Sequence, residues 1–369
     1  MNANPDKANE SSPGRPMARA SFDGDELAIV LSQFDLDPIG AIVPYERGSA
    51  DSPKVVVKTR SAEYLLKRRS GRSADAERVR FVHAIHRFLQ DRGYPVARLQ
   101  SGREGLGSTF ERNDYIYELT EFVRGETFDK SIDEARDAGR RLAEFHAALA
   151  QAPPEFAPQS LERVGPGSYH DALGVRRLAT RAGRALREVD RSVSPDAAHA
   201  LLGELMALYD DAANRVDAIG FDRWPRMIVH GDWHPGNMIF QGRRVIAVID
   251  FDSARVEPRI TDVANGLLHF SMRTRSTDPA TWPDDVNPER ARGFAAGYDA
   301  FHADFILSRV EIEATPWLMI ESLIAEVVAP IAQRGRFGSF RGFEFLEMIR
   351  RKASWIATHA DEIVPLIDA

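Results

Sequence analysis

The sequence predicts an α+β chain in two parts: a β-rich unit over residues 23–122 and a mainly helical unit over 123–369 that carries one β-hairpin. Three observations point there. Short β-branched and aromatic runs cluster before residue 122, whereas after Gly125 the apolar residues step by three and four. Inside that helical stretch, residues 227–252 hold three short apolar runs whose ends are polar. A length of 369 residues suits two domains or one large two-lobed unit, and 43% hydrophobic residues supply a sizeable core.

In chain order, residues 1–22 are polar and rich in Pro, Ser and Asn. They lack the apolar centre of an export signal and read as a disordered tail. Ile39–Pro44, Lys54–Thr59 and Tyr64–Lys67 then form a three-strand meander with turns at Gly48–Pro53 and Arg60–Ala62. A helix follows, with Ser73 as its N-cap, Asp75 and Glu77 in its first turn and Val82, Ile85 and Leu89 on its buried face. Gly93 and Pro95 stop it. Strands near Ser108–Phe110 and Tyr115–Phe122 complete a five-stranded antiparallel sheet with one helix.

Beyond Gly125, Ser131-Ile132-Asp133-Glu134 has the form of a capping box. It opens a helix whose buried stripe is Ala135, Ala138, Leu142, Phe145 and Leu149. Residues 151–168 read as a long loop and 170–218 as amphipathic helix. Strands Met227–Val229, Asn237–Phe240 and Val245–Ile249 come next, the last two joined by a turn at Gln241-Gly242-Arg243. Helices resume from Asp262 to the end, interrupted near 275–287.

Composition excludes several classes of function. A net charge of -7 is poorly suited to a nucleic-acid binder that works by counterion release. The absence of cysteine removes disulfides, thiolate metal sites and cysteine nucleophiles, and fits a cytoplasmic location. No apolar run approaches the ~20 residues of a membrane span. Nothing in the sequence indicates an oligomeric state.

Chemistry concentrates in HGDWHPGNMIFQGRRVIAVIDFD, residues 230–252. A hairpin between Asn237 and Asp250 brings two oxygen-bearing side chains to adjacent strand ends, a site suited to a hard cation such as Mg²⁺. Asp232 lies on the same rim. Protein kinases carry H-R-D-x-x-x-x-N followed by D-F-G. Here the string is H-G-D-x-x-x-x-N followed by D-F-D. With Gly in second place and His at 234, it resembles the aminoglycoside phosphotransferase superfamily of the protein-kinase-like fold, which includes choline, homoserine and fructosamine kinases.

That resemblance implies a bilobal fold and an ATP- and Mg²⁺-dependent transfer of the γ-phosphate to a small-molecule hydroxyl. By matching position, Asp232 is implied to accept or orient the hydroxyl proton, and Asn237 and Asp250 to hold Mg²⁺. His234 stands where protein kinases have a lysine, which leaves phosphate contact, substrate contact or a loop-shaping role open. Lys67 is implied to reach the α- and β-phosphates, with Glu77 chosen as its acidic partner over His83. Glu121, Phe122 and Val123 are implied to form a hinge whose backbone meets the adenine edge. The phosphate loop is reduced to Gly48, with no G-x-G-x-x-G.

Among the other polar residues, Asp262 is expected to cap a helix and brace the catalytic loop. His146 and His269 are expected in structural roles, and Arg255 and Arg259 as solvated arginines. The string F-x-x-G-Y at Phe294–Tyr298 looks like the homoserine kinase branch. A homoserine-like or amino-alcohol acceptor is the leading expectation, with an aminoglycoside as another. The alternatives are a protein Ser/Thr kinase, for which no A-P-E segment is found, and a non-catalytic nucleotide-binding module, which would have lost acids that this chain retains.

Overall fold

The computed structural model describes residues 20–48, 52–69, 75–105, 107–153, 156, 168–274, 276–302 and 306–368. The tail up to residue 19, the cap at Ser73, residues 49–51 after Gly48 and most of the 151–168 loop lie outside them. The chain forms two compact units. One comprises residues up to Ala76 with Leu99–Phe122, the other Glu77–Arg98 with Val123 onward.

The first unit opens with α1 (Gly24–Leu31), a helix absent from the sequence expectation, started by a capping box between Asp23 and Glu26. Its sheet contains β1 (Ile39–Pro44), β2 (Lys54–Thr59), β3 (Glu63–Arg69), β4 (Thr109–Arg112) and β5 (Tyr115–Glu121), in the order β1-β2-β3-β5-β4 with every pair antiparallel. The β4–β5 turn is Asn113-Asp114, with both φ angles positive (50° and 61°), as a two-residue hairpin turn requires. One face of the sheet and α1 share a core of Val30, Leu31, Phe34, Val57, Leu66 and Leu119.

The second unit starts with α2 (Ala76–Asp91), then α3 (Ile132–Leu149), α4 (Ala172–Val189) and α5 (Pro195–Ala218). The helical stretch 170–218 divides into two helices. α4 ends before Asp190, and Ser194 with Pro195 restarts the chain as N-cap and first residue of α5. The capping box at Ser131 is half formed. Ser131 accepts from the Glu134 N–H, while the Glu134 carboxylate accepts from the Asp129 N–H.

Four short strands follow: β6 (Met227–Val229), β7 (Met238–Gln241), β8 (Arg244–Val248) and β9 (Arg255–Glu257). β7 pairs with β8 through a Gly242-Arg243 turn, both φ positive, while β6 pairs with β9, a strand the sequence did not indicate. The remainder is α6 (Ile260–Ser271), α7 (Pro288–Asp299), α8 (Arg309–Arg334), the small hairpin β10 (Arg336–Phe337) and β11 (Phe340–Arg341), α9 (Gly342–Thr358) and α10 (Ala360–Ile367).

Two features of this unit correct or explain the sequence reading. α8 is long and apolar enough to cross a membrane by composition, contrary to expectation, yet 78% of its apolar window is buried inside the protein, as in a core helix. The F-x-x-G-Y string has a packing role. A Cβ at Gly297 of α7 would stand 2.0 Å from the Arg136 carbonyl of α3, and one at Gly139 of α3 would stand 2.0 Å from the Phe294 carbonyl. The two helices therefore meet backbone to backbone. Phe294 stacks on Phe270, and the Tyr298 hydroxyl meets His146.

Candidate active site

β6 delivers His230-Gly231-Asp232 into a loop that closes at Asn237. Asn237 Nδ2 donates to the backbone carbonyl of Asp232 at 3.0 Å and to its Oδ2 at 2.9 Å. His234 Nε2 lies 3.4 Å from the same Oδ2, and its Nδ1 accepts from the Gly236 N–H. One carboxylate oxygen thus gathers the two other polar side chains of the motif. Asp232 and His234 keep 32% and 31% of their side-chain surface exposed, while Asn237 is buried.

Electrostatics follow from this packing. Burial pushes the Asp232 carboxyl up, but the His234 hydrogen bond and charge, together with His230 and the Asn237 amide, outweigh it and bring it down to about 2. Burial likewise opposes charge on His234, and Asp232 overcomes it and raises the imidazole above its ordinary value. His230 differs. It is fully buried against Phe145, Trp233 and Phe251, and desolvation holds its pKa below the ordinary value against the pull of the nearby carboxylates. It is an apolar wedge under the loop.

Asp262, in the first turn of α6, fixes the loop backbone. Its Oδ2 accepts from the His230 N–H and its Oδ1 from the Gly231 N–H, each at 2.7 Å. His146 Nε2 lies 3.1 Å from Oδ2, and His146 Nδ1 meets the Tyr298 hydroxyl at 2.8 Å. Asp262 thus braces the catalytic loop, as expected, although it does not cap its helix. Burial would raise its carboxyl, but His146, His230 and the Gly231 N–H hold it below the usual range. His146 is fully buried in a structural role.

Gly231 needs to be glycine. Its φ is +75°, and a Cβ there would stand 2.2 Å from Arg255 Nη1 and 2.3 Å from the Ser253 carbonyl. Arg255 is the first residue of β9, is buried, and pairs with Glu257 at 2.8 Å. Arg259 forms a two-pronged bond to Glu311, at 2.8 and 2.9 Å. Neither is the solvated arginine expected from sequence. Arg255 pairs two residues along its own strand, whereas Arg259 finds a carboxylate 52 residues downstream.

The β7–β8 register sets Met238 against Val248, and the Ile249 N–H donates to the Asn237 carbonyl at 3.0 Å. Asp250 therefore leaves the hairpin one residue beyond Asn237's neighbour. Its charge acts on both His234 and His230. Asp250 has φ +65°, a left-handed conformation that costs a non-glycine residue about 1 kcal/mol or more and is characteristic of functional sites.

Asn237 commits its amide N–H groups to Asp232 and keeps its carbonyl oxygen as a donor atom for a cation. With the Asp250 carboxylate it could supply two hard oxygen ligands. Among the described residues no group of three or more His, Cys, Asp or Glu side chains is arranged to hold a metal alone. This set fits Mg²⁺, which uses one or two carboxylates and completes its octahedron with phosphate and water.

The nucleotide-side candidates sit in the sheet. Lys67 on β3 faces Glu118 on β5, with Nζ 3.8 Å from Oε1, and Arg69 forms a two-pronged bond to the same carboxylate. Glu77 lies in the first turn of α2. Glu121 ends β5 opposite Tyr64, and Val123 begins the second unit.

Sequence reading missed Glu326 on α8. Its Oε2 bonds His269 Nε2 at 2.8 Å, and the His269 ring lies 5.6 Å from that of His234. Burial would raise this carboxyl, but His269 holds it below the usual range, so it is ionised, and its charge and that of Asp232 act on each other. An acid inside an apolar helix with no motif around it gives no sequence signal.

A five-stranded antiparallel sheet unit and a helical unit with a hairpin-borne H-G-D-x-H-x-x-N define the small-molecule phosphotransferases of the protein-kinase-like fold. The chain belongs to the phosphotransferase enzyme family (APH), whose model matches residues 42–305. It is 24% identical over 305 residues to a homoserine kinase from Hyphomonas neptunium, covering 81% of this chain and 83% of that one. Its fold is similar to a microcompartment-associated aminopropanol kinase (TM-score 0.67, 14% identity, 92% and 98% covered). It is also similar to an aminoglycoside phosphotransferase from Alicyclobacillus acidocaldarius (TM-score 0.61, 17% identity, 95% and 96% covered). A spectinomycin phosphotransferase solved with ADP and spectinomycin has the same fold (TM-score 0.62, 15% identity, 93% and 100% covered). The protein is a small-molecule kinase.

Proposed function

We propose that the enzyme uses ATP and Mg²⁺ to phosphorylate a hydroxyl of a small amino alcohol or a homoserine-like amino acid. The observation that carries this is the Asp232 carboxylate, bonded to Asn237 and His234 on the rim where Asp250 emerges. Asp232 orients the acceptor hydroxyl. With its carboxyl near 2 it is a weak base, so it takes the proton only as the new O–P bond forms. Asn237 and Asp250 would hold Mg²⁺, which supplies charge neutralisation for the transferring phosphoryl group. His234, with Nδ1 held by the Gly236 N–H and Nε2 turned to Asp232, helps to fix the direction of that carboxylate. Lys67, supported by Glu118, serves the α- and β-phosphates, and the backbone of Glu121 and Val123 serves the adenine.

Two considerations favour an amine-bearing acceptor. The ionised Glu326 lies within electrostatic reach of Asp232, so an ammonium group would relieve two negative charges. The kinship with a homoserine kinase and the shared fold with an aminopropanol kinase point the same way.

The test is ADP release with Mg²⁺ and ATP across L-homoserine, 1-amino-2-propanol, choline, sugars and aminoglycosides. An amino alcohol or homoserine should be turned over. Asp232→Ala should abolish turnover, on the order of 10³-fold or more, while ATP still raises the melting temperature. Full activity in that variant removes the mechanism, and turnover confined to sugars removes the acceptor class.

A further inference from the structure

One carbonyl of the catalytic loop and one of the turn after Asp250 share a single donor. Arg255 Nη1 donates to the Gly231 carbonyl at 3.1 Å and to the Ser253 carbonyl at 3.2 Å, one N–H to each. Gly231 directly precedes Asp232. Ser253 closes the short 3-10 turn Phe251–Ser253, which Asp250 opens in its left-handed conformation. The two backbones touch at this point, since a Cβ at Gly231 would stand 2.3 Å from the Ser253 carbonyl and 2.2 Å from Arg255 Nη1. The guanidinium thus fills the space that a side chain at 231 would need.

The fold delivers Arg255 to this place. β9 pairs with β6, and Arg255 stands opposite Val229, two residues ahead of Gly231. The side chain is buried, where an uncompensated charge is costly. Glu257 Oε2 at 2.8 Å and the face of Tyr169, with its ring centre 4.8 Å from Cζ, offset that cost. The Tyr169 hydroxyl also donates to the Gly231 carbonyl, at 2.8 Å. A second arginine reaches the turn: Arg78 of α2 makes a two-pronged bond to the Asp252 carbonyl. Arg78 holds the turn from α2, whereas Arg255 joins the turn to the catalytic loop.

We propose that Arg255 is a positioning residue for phosphoryl transfer, its Nη1 clamping the Gly231 and Ser253 carbonyls together and so fixing Asp232 relative to Asp250. This rests on the roles given to those two acids. The Gly231 carbonyl lies in the same rigid peptide plane as the Asp232 nitrogen, so holding it sets the direction in which Asp232 leaves the loop. Transfer requires the group that orients the hydroxyl and the group that would hold Mg²⁺ to keep one separation, and a displacement of about 1 Å costs on the order of 10²-fold in rate. A clamp on the backbone keeps that separation without touching substrate or metal.

The test uses the full chain as wild type, Arg255→Lys, Asp232→Asn and the double variant. A lysine retains a charge for Glu257, but its nitrogen stands where the guanidinium carbon was, one bond short of the two carbonyls. Two segments far apart in sequence should then loosen together. Hydrogen exchange at 230–232 and at 252–255 should each rise about tenfold or more, with α9 unchanged. With ATP and L-homoserine, kcat should fall about tenfold or more at unchanged KM for ATP, a split that a merely structural role would not produce. Added to Asp232→Asn, Arg255→Lys should cost less than it does alone, because both act through one carboxylate. Loosening of one segment only, a wild-type kcat, or effects that simply multiply in the double variant overturns the proposal. If Arg255→Lys does not fold, exchange of the wild type in a urea series decides: the Gly231 and Ala254 amides should share one opening free energy, and two distinct values overturn the clamp. Retained turnover in Asp232→Asn sinks the role of Asp232, whereas loosening of a single segment in Arg255→Lys sinks only the role of Arg255. Absence of wild-type turnover with L-homoserine counts against that acceptor, and the exchange measurements still decide the role of Arg255.

Discussion

Replacing Asp262 by asparagine keeps its shape and removes one acceptor. The carboxylate serves three donors, the His230 and Gly231 N–H groups at 2.7 Å and His146 Nε2 at 3.1 Å. An amide has one oxygen. If that oxygen takes the Oδ2 place it keeps His230 and His146, and the amide N–H₂ then confronts the Gly231 N–H. The opposite orientation loses two partners, so the first is adopted. One buried N–H left unpaired costs about 1–3 kcal/mol, and bonds to a charged acceptor are roughly twice as strong as neutral ones. The expected loss is about 3 kcal/mol, roughly a hundredfold in the unfolding equilibrium of the helical unit. Urea unfolding should show a lower midpoint at unchanged slope, hydrogen exchange should rise first at Gly231, and turnover should drop with it. Asp262→Asn with a wild-type midpoint and wild-type exchange at 230–231 would refute the view that this carboxylate organises the loop.

Gly297→Ala would ordinarily stabilise a helix by up to about 1 kcal/mol, but here the new methyl meets the Arg136 carbonyl, so a net loss of about 1–3 kcal/mol is expected in urea unfolding. A stabilised variant would contradict the close α3–α7 contact. His170 has its pKa raised to about 9, because hydrogen bonds and charge from Glu321 and Asp217 outweigh burial. Its ordinary value is near 6.5, so the folded state holds an extra proton between about pH 6.5 and 9. Its stabilising contribution is full below 6.5 and lost as pH rises through 9, with a slope of at most about 1.4 kcal/mol per pH unit. His170→Gln should flatten the alkaline fall in stability, and an equally steep fall would contradict the pairing.

The sequence made the hairpin and its motif legible because the residues that meet at the site lie within 21 positions of each other, so local strand signals carried Asn237 to Asp250. The β-branched run in Lys54–Thr59 and the three-four spacing from Ala135 to Leu149 were equally local. What stayed hidden depended on tertiary pairing. Arg255 and Arg259 read as solvated because Glu257 and Glu311 become their partners only once strand and helix are folded. β9 was overlooked because its three residues form a strand only by pairing with β6. Tyr169 borders a loop, and Glu326 is an acid in an apolar helix. Neither has a spacing rule, and tertiary packing alone gives them their place. Asp262 was legible as a brace but not in its detail, since which two N–H groups it accepts depends on the left-handed turn at Gly231.

The central claim is that Asn237 and Asp250 hold one divalent ion against the nucleotide beside Asp232. A crystal structure of the protein with a non-hydrolysable ATP analogue and Mn²⁺, phased on the manganese anomalous signal, tests it directly. The account predicts an anomalous peak about 2.1–2.3 Å from both Asn237 Oδ1 and an Asp250 carboxylate oxygen, with phosphate oxygens completing the shell. A peak coordinated elsewhere, or an ion that touches neither side chain, would contradict it.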